Sequence, residues 1–323
     1  MFNGTSFGAA SNQIGHTLYI AEGLVMFLCN SVIVLTIYSR QSLRERKELV
    51  ILSGLAASDA LSGFAFMSAG ALRLIKDISD DKTTVSGWDC MLTVHNMVGV
   101  VAEPLAAAML LVVSCDRLFC VTTPFSYFKL GPRYAHIVLG VTSLTALLGG
   151  ILAVIQAASR TKPEHAPLCY TQMAIGHEIH ESMNGLELCL ATASIVVYIL
   201  VMYFYRQHQT SAVSHAHAYQ YQLIRRQRRL TNTLAISCVF TFVFYVLPHT
   251  ILLIQSILIG GSAAELQQKP EMQGRTFLYA WSNLNALFNL FIFTIRHQEI
   301  RKALFSMCRC ATKQSATGGS TQL

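Results

Sequence analysis

Apolar residues fall along this chain in seven long runs: Thr17 to Tyr38, Glu48 to Ile75, Met91 to Cys120, Arg133 to Ala158, Asn184 to Tyr205, Thr231 to Ile259 and Arg275 to Arg296. Each run is long enough to carry a helix across the hydrocarbon core of a bilayer, which takes roughly 20 residues. What remains is short tails and loops. The pattern therefore predicts an all-α membrane protein, a seven-transmembrane helix bundle in one domain over 17–296, with an N-tail at 1–16. After Arg296 the stretch 297–310 sets Ile300, Leu304, Phe305 and Met307 against Glu299, Arg301 and Lys302. It is predicted to be a short amphipathic eighth helix lying on the membrane surface, followed by a tail at 311–323.

Composition supports the membrane class. The chain is 53% hydrophobic and only 13% charged, against roughly 25% charged in soluble domains. Lysine and arginine gather in the segments after the first, third and fifth runs and in the C-tail, including Arg44, Arg46, Lys47, Lys129, Arg133, Arg225, Arg226, Arg228 and Arg229. The opposite side holds fewer, among them Arg73, Lys76, Lys82, Arg160 and Lys269. The bias predicts a cytoplasmic C-tail and an extracellular N-terminus in a multi-pass plasma-membrane protein. The net charge of +7 is then a topology signal, with no implication of nucleic acid. The first sixteen residues lack the basic and apolar regions of a signal peptide. Asn3-Gly4-Thr5 is a glycosylation sequon on the expected outer side.

Polar residues inside the runs are the candidates for function. Asn30 and Asp59, in the first and second runs, are expected to bond to each other or to a neighbouring helix. Glu103, followed by Pro104, falls near mid-membrane about four helical turns from Arg117. It serves either as a cavity acid or as a protonated structural brace. His177, Glu178, His180, Glu181 and Glu187 form a dense acid and histidine group before the fifth run; a solvated face fits it better than a metal site. Asp116 and Arg117, adjacent at the end of the third run, can compensate each other while partly dehydrated. Pro248 removes a backbone bond from the sixth run and gives it a pivot, with His249 next to it. Cys29, Cys115, Cys120, Cys189 and Cys238 read as packing residues. There is no Walker loop, nucleotide fingerprint, catalytic triad or zinc motif, so no enzyme is expected.

The string Asp116, Arg117, Leu118, Pro124, Tyr127, together with Asn30, Asp59, Cys90, Cys169, Pro248 and Asn289 in order, resembles the rhodopsin-like G-protein-coupled receptors. Gly63, Phe64, Ala65, Phe66 and Gly70 to Leu74 resemble, more softly, the nematode serpentine chemoreceptors of class Srsx. The resemblance implies that Asp116, Arg117, Pro124, Tyr127, Pro248, Asn289 and Phe293 serve activation and G-protein coupling. It implies a polar core of Asn30, Asp59, Asn285 and Asn289 with a sodium ion at Asp59, no other cofactor, and a Cys90–Cys169 disulfide. A ligand pocket is implied at Gly99, Glu103, Tyr245, His249, Tyr279 and Asn283.

The chain also departs from that pattern. Leu118 replaces an aromatic, the fourth run lacks its tryptophan and the fifth its proline, and Val246 stands for the sixth-run tryptophan, with Phe242 or Tyr245 as substitutes. Leu290 and Phe293 stand for proline and tyrosine. Cys90 lies two residues further from Arg117 than usual, which a shifted first turn absorbs. No acid precedes the sixth run, leaving Asp116 to restrain Arg117 alone. The seventh run holds no lysine, which excludes a retinal Schiff base.

The expected function is conversion of an extracellular cue, an amine, a volatile molecule or a peptide, into activation of a heterotrimeric G protein. A small transporter or ion pathway through Asp59, Glu103 and Asn289 is the alternative, or a decoy that binds without coupling. Cys308 and Cys310 are candidate palmitoylation sites. Tail hydroxyls such as Ser315 and Thr317 are positioned for phosphorylation and arrestin, and Thr321-Gln322-Leu323 suits a PDZ domain. The basic run Arg225 to Arg229 suits acidic lipid or an acidic partner.

Overall fold

The computed structural model describes residues 4–79, 83–212, 236–259, 271–296, 300–303 and 306. Helix dominates: α1 (Gly4–Ser39), α2 (Gln41–Arg44), α3 (Lys47–Ile78), α4 (Gly87–Met91), α5 (Val94–Thr122), α6 (Pro124–Lys129), α7 (Pro132–Ala158), α8 (Thr171–Ile175), α9 (His177–Ala212), α10 (Leu247–Ile259) and α11 (Glu271–Arg296). A π-helical turn, Phe242–Val246, leads into α10 from helical residues 236–241, and these pieces together, 236–259, form the sixth membrane-length helix, called the sixth helix below. Six of these helices are long and apolar enough to cross a membrane among the described residues, and α11 is the seventh of the bundle. Strands β1 (Val85–Ser86) and β2 (Pro163–His165) pair antiparallel at one end. Asn3, Arg225 to Arg229, Cys308, Cys310 and the terminal tripeptide lie outside the described residues, and 297–310 is described only at 300–303, which are helical, and at Ser306.

Lipid is the solvent here, and the helices sort their residues accordingly. On α7 the large side chains Ile137, Val141, Leu144, Leu148, Leu152 and Ile155 face outward, while Ala146, Gly150, Ala153 and Ala157 face the bundle. With no hydrophobic gain from hiding leucine from hydrocarbon, the interface goes to small residues that let backbones approach. The larger buried cluster, around Ile37, Val50, Ile51, Met109, Val201 and Ile300, lies toward the Arg117 end; a second, around Cys90, Met91, Ala157, Cys169 and Ile175, fills the opposite end.

Two boundaries differ from the hydrophobic runs. The third run begins at Met91, yet Met91 closes a separate short helix and α5 starts at Val94. Ser86 caps α4 by accepting from the Asp89 N–H at 3.1 Å, while Asp89 accepts from the Ser86 N–H at 3.1 Å and hydroxyl at 2.7 Å. This capping box satisfies two free amides at once. It also holds the Asp89 carboxyl below the usual carboxylate range. The break between α4 and α5 takes up the extra spacing between Cys90 and Arg117. The fifth run begins seven residues after α9 does, because His177 to Met183 form polar helical turns above the apolar stretch.

Candidate functional site

At the disulfide end, Cys90 and Cys169 are bonded with their Cα atoms 4.9 Å apart. Cys169 has φ 48°, the left-handed region that side chains disfavour. Its carbonyl is held by His95 Nε2 at 2.9 Å and Asn96 Nδ2 at 3.1 Å, and Asn96 Oδ1 accepts from Thr171 at 2.9 Å. The first turn of α5 thus anchors the segment that roofs the bundle.

Beneath that roof is a polar cavity of about 100 Å³, with Tyr19, Arg73, His95, Glu103, Tyr170 and Gln172 in its wall. A deeper cavity of about 60 Å³ follows, with Asp59, Glu103, Glu187, Tyr245, His249 and Asn283 among its lining residues. Phe66, Glu103 and Tyr279 face both. Five of the six predicted pocket residues therefore gather here. Gly99 does not line either cavity: it is buried opposite Ala65, and a β-carbon on it would sit 3.8 Å from the Glu103 carboxylate. His249 and Glu103 share the deep cavity, with the histidine ring stacked on Tyr245 at 4.2 Å and its Nδ1 3.0 Å from the Tyr245 carbonyl.

Glu187 corrects the expectation of a solvated face. It is 3% exposed and accepts from the Tyr245 hydroxyl at 3.4 Å. The grouping with His177 and Glu181 by sequence proximity misplaced it; its neighbours Leu186, Leu188 and Leu190 were the signal that it lies inside the span. Among the described residues no cluster of three or more metal-ligating side chains occurs. Arg73, Glu22 and Lys47 were also missed as site residues. Glu22 accepts from Asn283 Nδ2 at 3.4 Å.

The polar core is wired differently from the expected Asn30–Asp59 and Asn285–Asn289–Asp59 contacts. Asn30 Nδ2 donates to the Met26 carbonyl of its own helix at 3.0 Å. Asn285 Oδ1 accepts from Thr241 at 3.1 Å, and Asn289 Oδ1 accepts from the Ser237 hydroxyl. Both asparagines thereby tie α11 to the sixth helix rather than to α3. Asp59 instead lines the deep cavity beside Ser62, whose buried hydroxyl has no partner among the described residues. An ionised carboxylate and an orphaned hydroxyl oxygen are the donor types that a sodium ion accepts, so Asp59 and Ser62 fit the implied ion.

Beside the deep cavity the sixth helix carries its π turn at Phe242–Val246, one residue ahead of Pro248. Proline cannot donate to the carbonyl four residues back and its ring crowds that carbonyl, so the preceding turn widens. Phe242, at 52% exposure, faces outward and does not stand in for the missing tryptophan. Phe244 is half-buried, stacked on Phe240 and Phe288 and tilted against the exposed Trp281.

Arg117 and Asp116 are each 3% exposed and hydrogen-bonded to each other. Asp116 does not act alone. The Tyr127 hydroxyl accepts from Arg117 Nη2 at 2.9 Å and donates to Asp116 Oδ2 at 3.2 Å. Tyr127 is fully buried on α6, which Pro124 opens as its first residue. Lys47 holds it from the other side, with Nζ 3.7 Å from the ring centroid and donating to the carbonyls of Tyr127 and, at 3.0 Å, Leu130. Phe293 lies on α11, its side chain outside those described. Of the cysteines expected to pack inside, Cys120 is buried, while Cys115 and Cys189 face the lipid side.

No curated protein matches the chain as a relative. The family model of the 7 transmembrane receptor (rhodopsin family) matches residues 29–312, which is most of the chain and takes in Pro248, the Arg117 cluster and the cavity walls apart from Tyr19 and Met26. The chain belongs to the rhodopsin family of seven-transmembrane receptors, a family of multi-pass membrane signalling proteins rather than enzymes.

Proposed function

We propose that the protein is a G-protein-coupled receptor whose two cavities receive an extracellular chemical cue and whose Asp116–Arg117–Tyr127 cluster releases Arg117 to a heterotrimeric G protein. A chemosensory role of the kind suggested by the Srsx resemblance fits this reading, with the N-terminus outside and the basic loops inside. The carrying observation is the buried cluster itself: a guanidinium held by a carboxylate and a phenol at one end, with a polar cavity at the other.

Ligand in the cavities shifts the equilibrium between two bundle arrangements by its differential affinity for them. The sixth helix, weakened at its π turn and at Pro248, is the element free to swing. Its movement must break the Ser237–Asn289 and Thr241–Asn285 bonds. Asp59 and Ser62 would hold a sodium ion, which would supply positive charge to the core of the bundle. Arrestin and a PDZ domain are further proposed partners of the tail.

Replacing Arg117 with Ala tests the assignment. Nucleotide exchange on co-reconstituted G protein is expected to vanish while surface expression persists. Full exchange by that variant would reject the role.

A further inference from the structure

A guanidinium, Arg73, and two carboxyls, the buried Glu187 and the half-buried Glu103, line the two cavities without forming an ion pair with one another. Arg73 is 7% exposed; its Nε donates to the Leu168 carbonyl at 3.3 Å, and its guanidinium lies 4.2 Å from the centre of the Tyr170 ring. Among the described residues no carboxylate forms an ion pair with it. Glu103 and Glu187 line the deep cavity with only the Tyr245 hydroxyl donating to Glu187, and no lysine or arginine lines that cavity. Charges withdrawn from water without a counter-ion are costly, so a site with a cation at one end and carboxylates at the other selects a guest carrying the reverse arrangement. Phe66, Glu103 and Tyr279 line both cavities, so the two adjoin at Glu103, with Arg73 in the wall of one and Glu187 in the wall of the other.

Size narrows the guest. Cavities of about 100 and 60 Å³ are small beside the roughly 300–1,000 Å³ of sites for drug-sized ligands. Tyr19, Tyr170 and Tyr279 supply aromatic faces along the way, suited to a short hydrocarbon linker and to a cation.

Resting on the receptor reading of this cavity, we propose that its ligand is a small zwitterion of the ω-amino acid type, with the carboxylate on Arg73 and the ammonium between Glu103 and Glu187. A guanidinium takes a carboxylate through two parallel hydrogen bonds, and an ammonium's three donors suit a pair of carboxylates. A simple amine answers only the acidic end and a simple carboxylate only the basic one, so each leaves a buried charge unanswered.

Thermal shift of the purified full-length receptor in lipid nanodiscs tests this without any G protein. The probes are glycine, β-alanine, 4-aminobutyrate and 6-aminohexanoate, with n-butylamine and butyrate as single-charge controls. At least one zwitterion should raise the melting temperature more than either control, and Arg73→Ala and Glu187→Gln should each weaken its apparent affinity at least tenfold. Arg73→Lys should lose less than Arg73→Ala, and Arg73→Gln replaces Arg73→Ala if the latter fails to fold. The proposal is overturned if no zwitterion shifts the melting temperature, if a single-charge control does as well, or if removing the Arg73 charge leaves affinity unchanged. Zwitterion binding without nucleotide exchange would sink the coupling assignment alone, and exchange driven by other stimuli without zwitterion binding would sink this one alone.

Discussion

Tyr127 is the residue on which the Arg117 end turns. Its hydroxyl both accepts from Arg117 and donates to Asp116, so it closes a three-membered ring of charge-assisted bonds in which neither charge has access to water. Removing the oxygen in Tyr127→Phe keeps the ring face under Lys47 but deletes both bonds. Hydrogen bonds to charged groups contribute about 1.5–3 kcal/mol each, and a shift of roughly 1.4 kcal/mol changes a two-state population tenfold. Basal nucleotide exchange is expected to rise several-fold in that variant at equal surface expression; unchanged basal exchange would mean the phenol does not restrain Arg117. At the other end, Asp89 gives a pH prediction. Its folded-state pKa is depressed by the Ser86 bonds, so its stabilisation is fully present above the unfolded carboxylate value of about 3.9 and is lost as pH falls through the lower folded value. Asp89→Asn should therefore flatten the acid limb of melting temperature against pH below about pH 4, read on purified receptor.

At the scale of elements, the contact between α1 and α3 depends on three glycines, Gly23, Gly63 and Gly70. A β-carbon on Gly23 would lie 2.5 Å from the Gly63 carbonyl oxygen, and one on Gly63 would lie 2.7 Å from the Phe27 amide nitrogen. Both obstacles are backbone and cannot rotate away. Gly→Ala inside a helix ordinarily stabilises by about 1 kcal/mol; here the sign reverses, because the helices must separate. Gly63→Ala should lower the melting temperature by several degrees, while Gly149→Ala, with nothing within 4 Å of its new methyl, should leave it level or raise it. The contrast between these glycines was not legible in the chain, and the reason is general. Lipid writes span lengths into composition, so the seven runs, the Pro248 pivot and the Asp116–Arg117 boundary could be read directly. The rotational phase of one helix against another leaves no such mark. That is why the sequence reads Glu187 as solvated and Arg73 as a charge of the outer side, and aims Asn285 and Asn289 at Asp59 when they face Thr241 and Ser237.

Across the whole molecule, under the proposed function, the cavity end and the Arg117 end communicate through one mechanically weak element. The sixth helix touches the deep cavity through Tyr245 and His249, carries the π turn and Pro248, and is bonded to α11 by Thr241 and Ser237 further along. If the proposed function holds, freeing Arg117 is useful only when this helix also moves, and the two events are then thermodynamically coupled. A double-mutant cycle measures that coupling. Pro248→Ala restores a backbone donor and stiffens the helix, so alone it should reduce basal exchange modestly. Combined with Tyr127→Phe, it should suppress most of the several-fold rise that the tyrosine variant shows, a non-additive result at equal surface expression. Simple additivity of the two effects would mean that latch release and helix-six motion are separate equilibria, and the cavity would then need another route to Arg117.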